Sequence, residues 1–330
     1  MASSRTRAYD DTSATLADFY TSDATMQACL DRARVAAQTD LPILILGESG
    51  AGKTILARAI HNSSRRNKGP FVSFNAAALS DTLLDSQLFG HERGAFTGAH
   101  QRVKGKFELA HQGTLFLDEI ADLSPTGQSK ILRAVEYGEF ERLGSDALQR
   151  ADVRVISATH WAINGGGERR FRQDLFFRIS GFTLTLPSLR ERPRDLPVLL
   201  AAEIERAGQR QGKAIVGLNR AAANRLLAYA WPGNLRELST VVHAAVALAT
   251  GDVIGEEHLM LGTGVTETTT PAVPTTSNGN AKHRTLRDAM AKHILQVLED
   301  LGGNKRRAAR ELGVSRATLD RKLREISKPA

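Results

Sequence analysis

The chain has 330 residues, 42% hydrophobic and 24% charged, with a net charge of +8 and one cysteine, Cys29. That length supports a sizeable core and two or three domains, and a lone cysteine excludes an internal disulfide framework and cysteine-rich metal sites. No apolar run reaches the roughly twenty residues that cross a bilayer, residues 1–11 carry no signal-peptide core, and residues 281–330 hold thirteen Lys or Arg against six Asp or Glu, a net +7 that points to nucleic acid.

Residues 1–19 read as a short polar extension. A helix is predicted over 23–37, with Cys29 as a packing residue and not a nucleophile. Apolar, strand-like runs recur at 41–46, 71–75, 114–118, 153–159 and 182–186 between helical patterns, which implies a parallel sheet covered on both faces over 20–187. After Pro187 the pattern turns helical, with helices predicted at 195–210, 219–230 and 234–249, so 188–262 reads as a small helical lid. Residues 263–284 change to Thr, Pro, Ser, Gly and Asn with little to bury and read as a flexible linker. Leu286, Met290, Ile294, Val297, Leu298 and Leu301 then fall on one helical stripe that opens a compact all-α module over 285–330.

Gly47-Glu48-Ser49-Gly50-Ala51-Gly52-Lys53-Thr54 joins the first predicted strand to a helix. In that setting glycines let backbone N–H groups approach an anion, the helix N-terminus adds positive potential, Lys53 can reach terminal phosphates and Thr54 can hold Mg²⁺. An ordinary tight turn is the plain alternative, but all eight positions and both flanking elements fit a nucleoside triphosphate cradle. The run 114–118 ends in Asp118, followed at once by Glu119, at the end of a strand where open α/β sheets bind ligands; Asp118 would hold Mg²⁺ and Glu119 would polarise the attacking water. Phosphoryl transfer also needs positive charge on its transition state, and an arginine there contributes roughly 10³ to 10⁵ in rate. Arg172 and Arg178 flank an apolar stretch, their plain alternative being solvated positions on a helix face. Trp231-Pro232-Gly233-Asn234 reads as a rigid turn with Asn234 as a helix cap ahead of Arg236, which could then read the nucleotide's charge.

Gly94-Ala95-Phe96-Thr97-Gly98-Ala99, preceded by Glu92-Arg93, is a glycine-bounded loop with one large apolar residue and one hydroxyl near its tip. An exposed Phe96 on a mobile loop suits contact with a partner protein; the alternative is that Phe96 pins the loop to its own domain. With these motifs in this order, the chain resembles the AAA+ ATPases that activate sigma-54 RNA polymerase, the NtrC-type bacterial enhancer-binding proteins, over about residues 20 to 260 and 284 to 325. General AAA+ proteins lack the hexapeptide. The resemblance implies an AAA+ parallel sheet with helical lid, ATP and Mg²⁺ as ligands, and a ring, usually a hexamer. Lys53 and Thr54 become phosphate and Mg²⁺ ligands, Asp118 and Glu119 the metal and water carboxylates, and Arg236 a nucleotide sensor. Arg172 and Arg178 become fingers reaching the adjacent subunit, and residues 94–99 the sigma-54 contact. Asn75 matches the asparagine whose amide can hold the catalytic glutamate inactive, whereas His160 stands where the family often has Asn. A cytoplasmic protein is implied.

At the C-terminal end, 304–312 and 315–325 read as two short helices around Gly313-Val314, with Ser315 as N-cap, the requirement of a helix-turn-helix. Ala308, Ala309, Leu312, Val314, Leu319 and Leu323 would form its core. Arg316, Thr318, Arg321 and Lys322 can meet a major groove, with Lys305 and Arg306 near the backbone; a solvated basic hairpin is the plain alternative. The module resembles the Fis-type domain that ends these activators and binds double-stranded DNA upstream of the promoter, although Asp320 replaces a frequent aromatic. Residues 1–19 are too few for the receiver domain of many relatives, so control is expected from elsewhere: a separate regulatory protein that inhibits, a partner activator, or regulated synthesis. The sequence thus predicts an ATP-driven activator that remodels sigma-54 polymerase. A nucleic-acid-remodelling or helicase-loading AAA+ ATPase and a passive repressor with a degenerate ATP site are the other readings.

Overall fold

The computed structural model describes residues 13–77, 81–160 and 171–262, together with Lys305, Arg307, Ala308, Leu319 and Leu323. Asp23 accepts a hydrogen bond from Met26 N at 2.9 Å and so starts α1 (Ala24–Ala37), where Cys29 is buried and its thiol pushed up to about 11 by desolvation. There follow β1 (Ile43–Leu46), α2 (Lys53–Asn62), β2 (Phe71–Asn75), α3 (Asp81–Phe89), β3 (Gly90–His91), β4 (Val103–Lys104), α4 (Lys106–Leu109) and β5 (Thr114–Asp118). α5 (Pro125–Tyr137) is capped by the Ser124 hydroxyl and stopped by Gly138 in a left-handed conformation. After β6 (Glu139–Glu141), β7 (Leu148–Arg150), β8 (Arg154–Thr159), α6 (Gln173–Ile179) and β9 (Phe182–Thr185) comes the lid. It consists of α7 (Leu196–Gln211), β10 (Gly217–Leu218), α8 (Arg220–Ala228), α9 (Asn234–Leu248) and β11 (Val253–Ile254).

Five strands pair in parallel in the order β2-β5-β8-β1-β9. The central β1, β5 and β8 are buried almost throughout, whereas β2 and β9 form the half-buried edges. Continuous apolar runs made the central strands visible in the sequence, because helices cover both of their faces. Alternate residues feed two cores: Ile45 and Phe116 join Leu30, Leu56 and Ile60 on one face, while Leu44 and Leu115 join Leu88, Phe107 and Leu175 on the other. The register Leu46↔Thr159 and Leu117↔Ser157 brings the carboxyl ends of β1, β8 and β5 level, so the loops after them border one crevice.

Residues 14–19 depart from the sequence expectation. Leu16 and Phe19 pack into the core beside α1 and α2, and Leu16 N donates to Ser63 Oγ at 2.9 Å, so this stretch belongs to the body and does not extend from it. Two short hairpins, β3–β4 and β6–β7, also escaped the sequence reading. The lid has its own core around Trp231, 1% exposed, whose indole N–H donates to Leu226 O.

The chain divides into two units, Met1–Gly264 and Val265–Ala330. In the second, the five described residues are helical; Ala308 and Leu319 are buried, Lys305 and Arg307 exposed. The linker at 263–284, the apolar stripe from 286 to 301, and Arg306, Ser315, Arg316, Thr318, Arg321 and Lys322 lie outside the described residues. Among the described residues no helix is long and apolar enough to cross a membrane.

Candidate functional site: a phosphate loop closed by the lid

The loop from Gly47 to Gly52 leaves the end of β1 and enters α2 at Lys53. Gly50 and Gly52 take φ values of +75° and +109°, and a Cβ on Gly50 would stand 2.3 Å from Gly233 O. Glycine is therefore required both by backbone conformation and by the close approach of the lid. The lid grips successive loop residues. Arg190 pairs with the Glu48 carboxylate through both of its terminal nitrogens, and Arg192 Nη2 donates to Ala51 O at 3.1 Å. Leu235 N donates to Gly50 O, and Arg236 Nη1 to Ser49 Oγ, each at 3.0 Å.

Asn234 corrects the sequence reading. It is fully buried with φ +53°, its Oδ1 accepts from Leu189 N at 2.7 Å, and its Nδ2 donates to Glu48 Oε2 and Ser49 O at 3.1 and 3.0 Å. It joins lid to phosphate loop and does not cap its own helix; Glu237 reaches back to Gly233 N at 2.7 Å instead. The usable signal was asparagine's tolerance of left-handed backbone after Pro-Gly.

Between loop and lid lies a cavity of about 280 Å³ bordered by Ser49, Gly50, Lys53, Thr54, Asp118, Glu119 and, from the lid, Glu203, Arg206 and Arg236. Lys53, 6% exposed, donates to Gly47 O and Glu48 O at 2.9 and 3.1 Å, and its Nζ stands 3.8 Å from Glu119 Oε1. Burial lowers its pKa, opposed by the charges of Glu119 and Asp118. Burial and then the charge of Glu119 raise the Asp118 carboxyl, opposed by Lys53. Two adjacent carboxylates, one of them pushed up, form a site whose electrostatics favour an added cation. Glu119 sits at φ +53°, ψ +47°, an uncommon conformation for a residue with a Cβ and one that concentrates at functional sites.

The Glu119 carboxylate is held by His160, from Nδ1 at 2.7 Å and from the backbone N at 3.3 Å, both to Oε2. Asn75 does not hold it: exposed at the end of β2, its Oδ1 accepts from Ala77 N at 2.8 Å. Its amide oxygen is turned into its own loop by that short-range bond, and the expected bond to Glu119 is not made in this structure.

Arg172 and Arg178 lie away from this cavity's lining. Arg172 precedes α6 and bonds Asp174 at 3.0 and 2.7 Å and Ser129 Oγ at 2.8 Å, drawing the Asp174 carboxyl down to about 2. Arg178 Nη2 donates to Glu136 O at 2.9 Å, near the carboxyl end of α5. Phe177, between them, is 74% exposed.

The hexapeptide sits between β3 and β4. Gly94 N donates to Ala99 O at 2.8 Å, closing the loop, and Gly94 and Gly98 take φ values of +84° and +103°. Thr97 is exposed, but Phe96 is half-buried, its ring edge-on to His91 at 5.0 Å. The exposed Phe96 expected from the sequence is half-buried instead: it partly packs on its own domain, where His91, bonded to Ser86 Oγ at 2.8 Å, offers it an aromatic ring. The β6–β7 turn supports the loop from below, where a Cβ on Gly144 would come within 2.8 Å of Ala95 Cβ. Buried Arg142 joins Glu92 and Glu108 at 2.9 and 2.7 Å.

Sheet order, phosphate loop and lid define an AAA+ ATPase-type domain. Residues 19–185 match the Sigma-54 interaction domain, 190–273 the AAA+ ATPase lid domain, and 285–325 the family described as Bacterial regulatory protein, Fis family. The chain belongs to the sigma-54-dependent transcriptional activators, which separates it from the helicase-loading ATPases its sequence left open. It is similar to the transcriptional regulatory protein ZraR of Klebsiella oxytoca, 45% identical over 302 residues that cover 90% of this chain and 66% of that protein. It is also similar to the hydrogenase transcriptional regulatory protein HoxA of Cupriavidus necator, 43% identical over 300 residues, 89% of this chain and 62% of that one. Among solved structures, NtrX from Brucella abortus in complex with ADP superposes with a TM-score of 0.68 at 33% identity, covering 98% of this chain and 71% of that one. The chain spans about two thirds of the length of the first of these relatives.

Proposed function

We propose that this chain hydrolyses ATP and uses the resulting movement to convert sigma-54 RNA polymerase at a promoter from the closed to the open complex. The observation that carries the reading is the convergence of Lys53, Asp118 and Glu119 on one lid-covered cavity, in a chain that also bears the hexapeptide loop. The description of the Brucella abortus NtrX structure as an ADP complex supports nucleotide binding at the equivalent fold position.

The backbone N–H groups of residues 50–54 and the Lys53 ammonium receive the phosphates. Thr54, exposed toward the cavity, and Asp118 are the residues that would hold Mg²⁺, a cation that needs only one or two protein oxygens beside phosphates and water. Bound Mg²⁺ offsets charge developing on the transferring phosphoryl group. Glu119 orients and polarises the attacking water, and Arg236 senses the nucleotide from the lid. Arg172 and Arg178, remote from their own cavity, serve the site of a neighbouring copy in a ring, for which the family's usual hexamer is the reading adopted. Residues 94–99 engage sigma-54 through Phe96 and Thr97. The Fis-type module binds double-stranded DNA upstream, with Lys305, Arg306, Ser315, Arg316, Thr318, Arg321 and Lys322 as its contact residues.

The test is permanganate footprinting of a supercoiled promoter with purified sigma-54 polymerase. ATP-dependent melting is expected with this chain, and none with polymerase carrying a different sigma factor. An intact ATPase that never melts the sigma-54 promoter would overturn the assignment.

A further inference from the structure

We infer that Arg206 is a second phosphate-binding arginine of the lid, held at the cavity wall by Glu203. The inference rests on the ATPase reading above and adds to it a residue through which the lid meets the phosphate tail. Glu203 and Arg206 lie about one turn apart on α7 and border the same cavity as Lys53, Thr54 and Arg236. Glu203 is 6% exposed, and a buried carboxylate is tolerated only when it is paired. Its two oxygens have separate tasks. Oε1 accepts from Ser239 Oγ at 2.6 Å and stands 3.4 Å from His243 Nε2, both on α9, so it ties α7 to α9. Oε2 accepts from Arg206 Nη1. That bond stays within α7 and joins no two elements; its effect is to fix a guanidinium, its side chain 18% exposed, on the wall of the cavity.

The bond to Glu203 uses a single terminal nitrogen. The rest of the guanidinium fork offers further N–H donors in one plane, the geometry that matches phosphate oxygens two at a time. Charge points the same way. Among the described residues Glu203 is the one carboxylate that the lid sets on this cavity, and an acid left without a counter-charge there would oppose an entering triphosphate. Arg206 offsets that charge and presents its own positive face to the space between loop and lid. Arg236 meets the same space from α9, where its Nη1 bonds Ser49 Oγ of the phosphate loop.

The experiment is isothermal titration calorimetry of ATP with Mg²⁺ binding to the full chain and its variants. Loss of a hydrogen bond to a charged group corresponds to about 10- to 100-fold in affinity, so Arg206→Ala should weaken ATP binding by about that factor. Arg206→Gln can still donate to Glu203 but carries no charge, and it should show a loss of the same order, which a role in lid packing alone would not produce. A double-mutant cycle tests the part played by Glu203. Glu203→Gln should weaken ATP binding in the wild-type background, where the acid holds the arginine, and tighten it in the Arg206→Gln background, where the acid only repels. Wild-type affinity in Arg206→Gln, or tightening by Glu203→Gln in both backgrounds, would overturn the inference while leaving the ATPase reading intact. A wild-type chain that binds no ATP would remove both.

Discussion

Burial and the adjacent Glu119 charge raise the Asp118 carboxyl above its ordinary value. A carboxyl raised in the folded state contributes stability at pH values below its unfolded value and loses it as pH rises through the folded one. At neutral pH the ionised group is therefore a net cost. Asp118→Asn should raise the melting temperature of the nucleotide-free protein at pH 7, by a margin that shrinks as pH falls into the carboxylate range, while abolishing Mg²⁺-dependent hydrolysis. Differential scanning calorimetry across pH checks the sign. Asn234 carries the opposite expectation. Its removal leaves the buried Leu189 N–H without its partner and puts a residue with no compensating amide into left-handed backbone, so Asn234→Ala should cost about 2–4 kcal/mol, read from denaturant melts. The phosphate loop was legible at this scale because eight consecutive positions share one local task. The Asn234 contacts and the His160–Glu119 pair were not, since each depends on backbone conformation and strand register that bring distant segments together.

Among the elements, the support beneath the hexapeptide is the least visible in sequence. β3, β4, β6 and β7 are two or three residues long and carry no period, yet their pairing sets Gly144 under Ala95 and His91 beside Phe96. By contrast, the edges of β2 and β5 fell where the apolar runs began and ended, because those strands are bounded by polar or glycine-rich turns. The loop's docking yields a prediction. Gly144 takes φ +76° as well as the tight contact, so Gly144→Ala should push the loop from the β6–β7 turn and accelerate amide hydrogen exchange at 94–99, with exchange in β5 and β8 unchanged. An edge-on aromatic pair is worth about 0.5–1.5 kcal/mol. Phe96→Ala should lose that pairing together with the partial burial of the ring, and leave amide exchange in β5 and β8 unchanged, which makes it a probe of the proposed contact with the polymerase.

Across the whole molecule, charge segregation in the sequence located the second unit: residues 281–330 carry most of the net +8. A chain truncated after Gly262 should keep its ATPase activity and lose site-specific DNA binding, measured by fluorescence anisotropy. For the full chain, DNA affinity should fall linearly in log–log form with salt, with a slope of about −0.9 per phosphate neutralised. What composition could not supply was the lid's grip on the phosphate loop, in which Arg190, Arg192, Asn234 and Arg236 bond Glu48, Ala51 and Ser49.

The coupling between fuel and promoter is tested most directly by recording ATP hydrolysis and promoter melting in one reaction with sigma-54 polymerase, for wild type, Lys53→Ala and Phe96→Ala. Both signals are predicted for wild type, neither for Lys53→Ala, and hydrolysis without melting for Phe96→Ala. Melting at the wild-type rate by Phe96→Ala, or by Lys53→Ala in the absence of hydrolysis, would contradict the account.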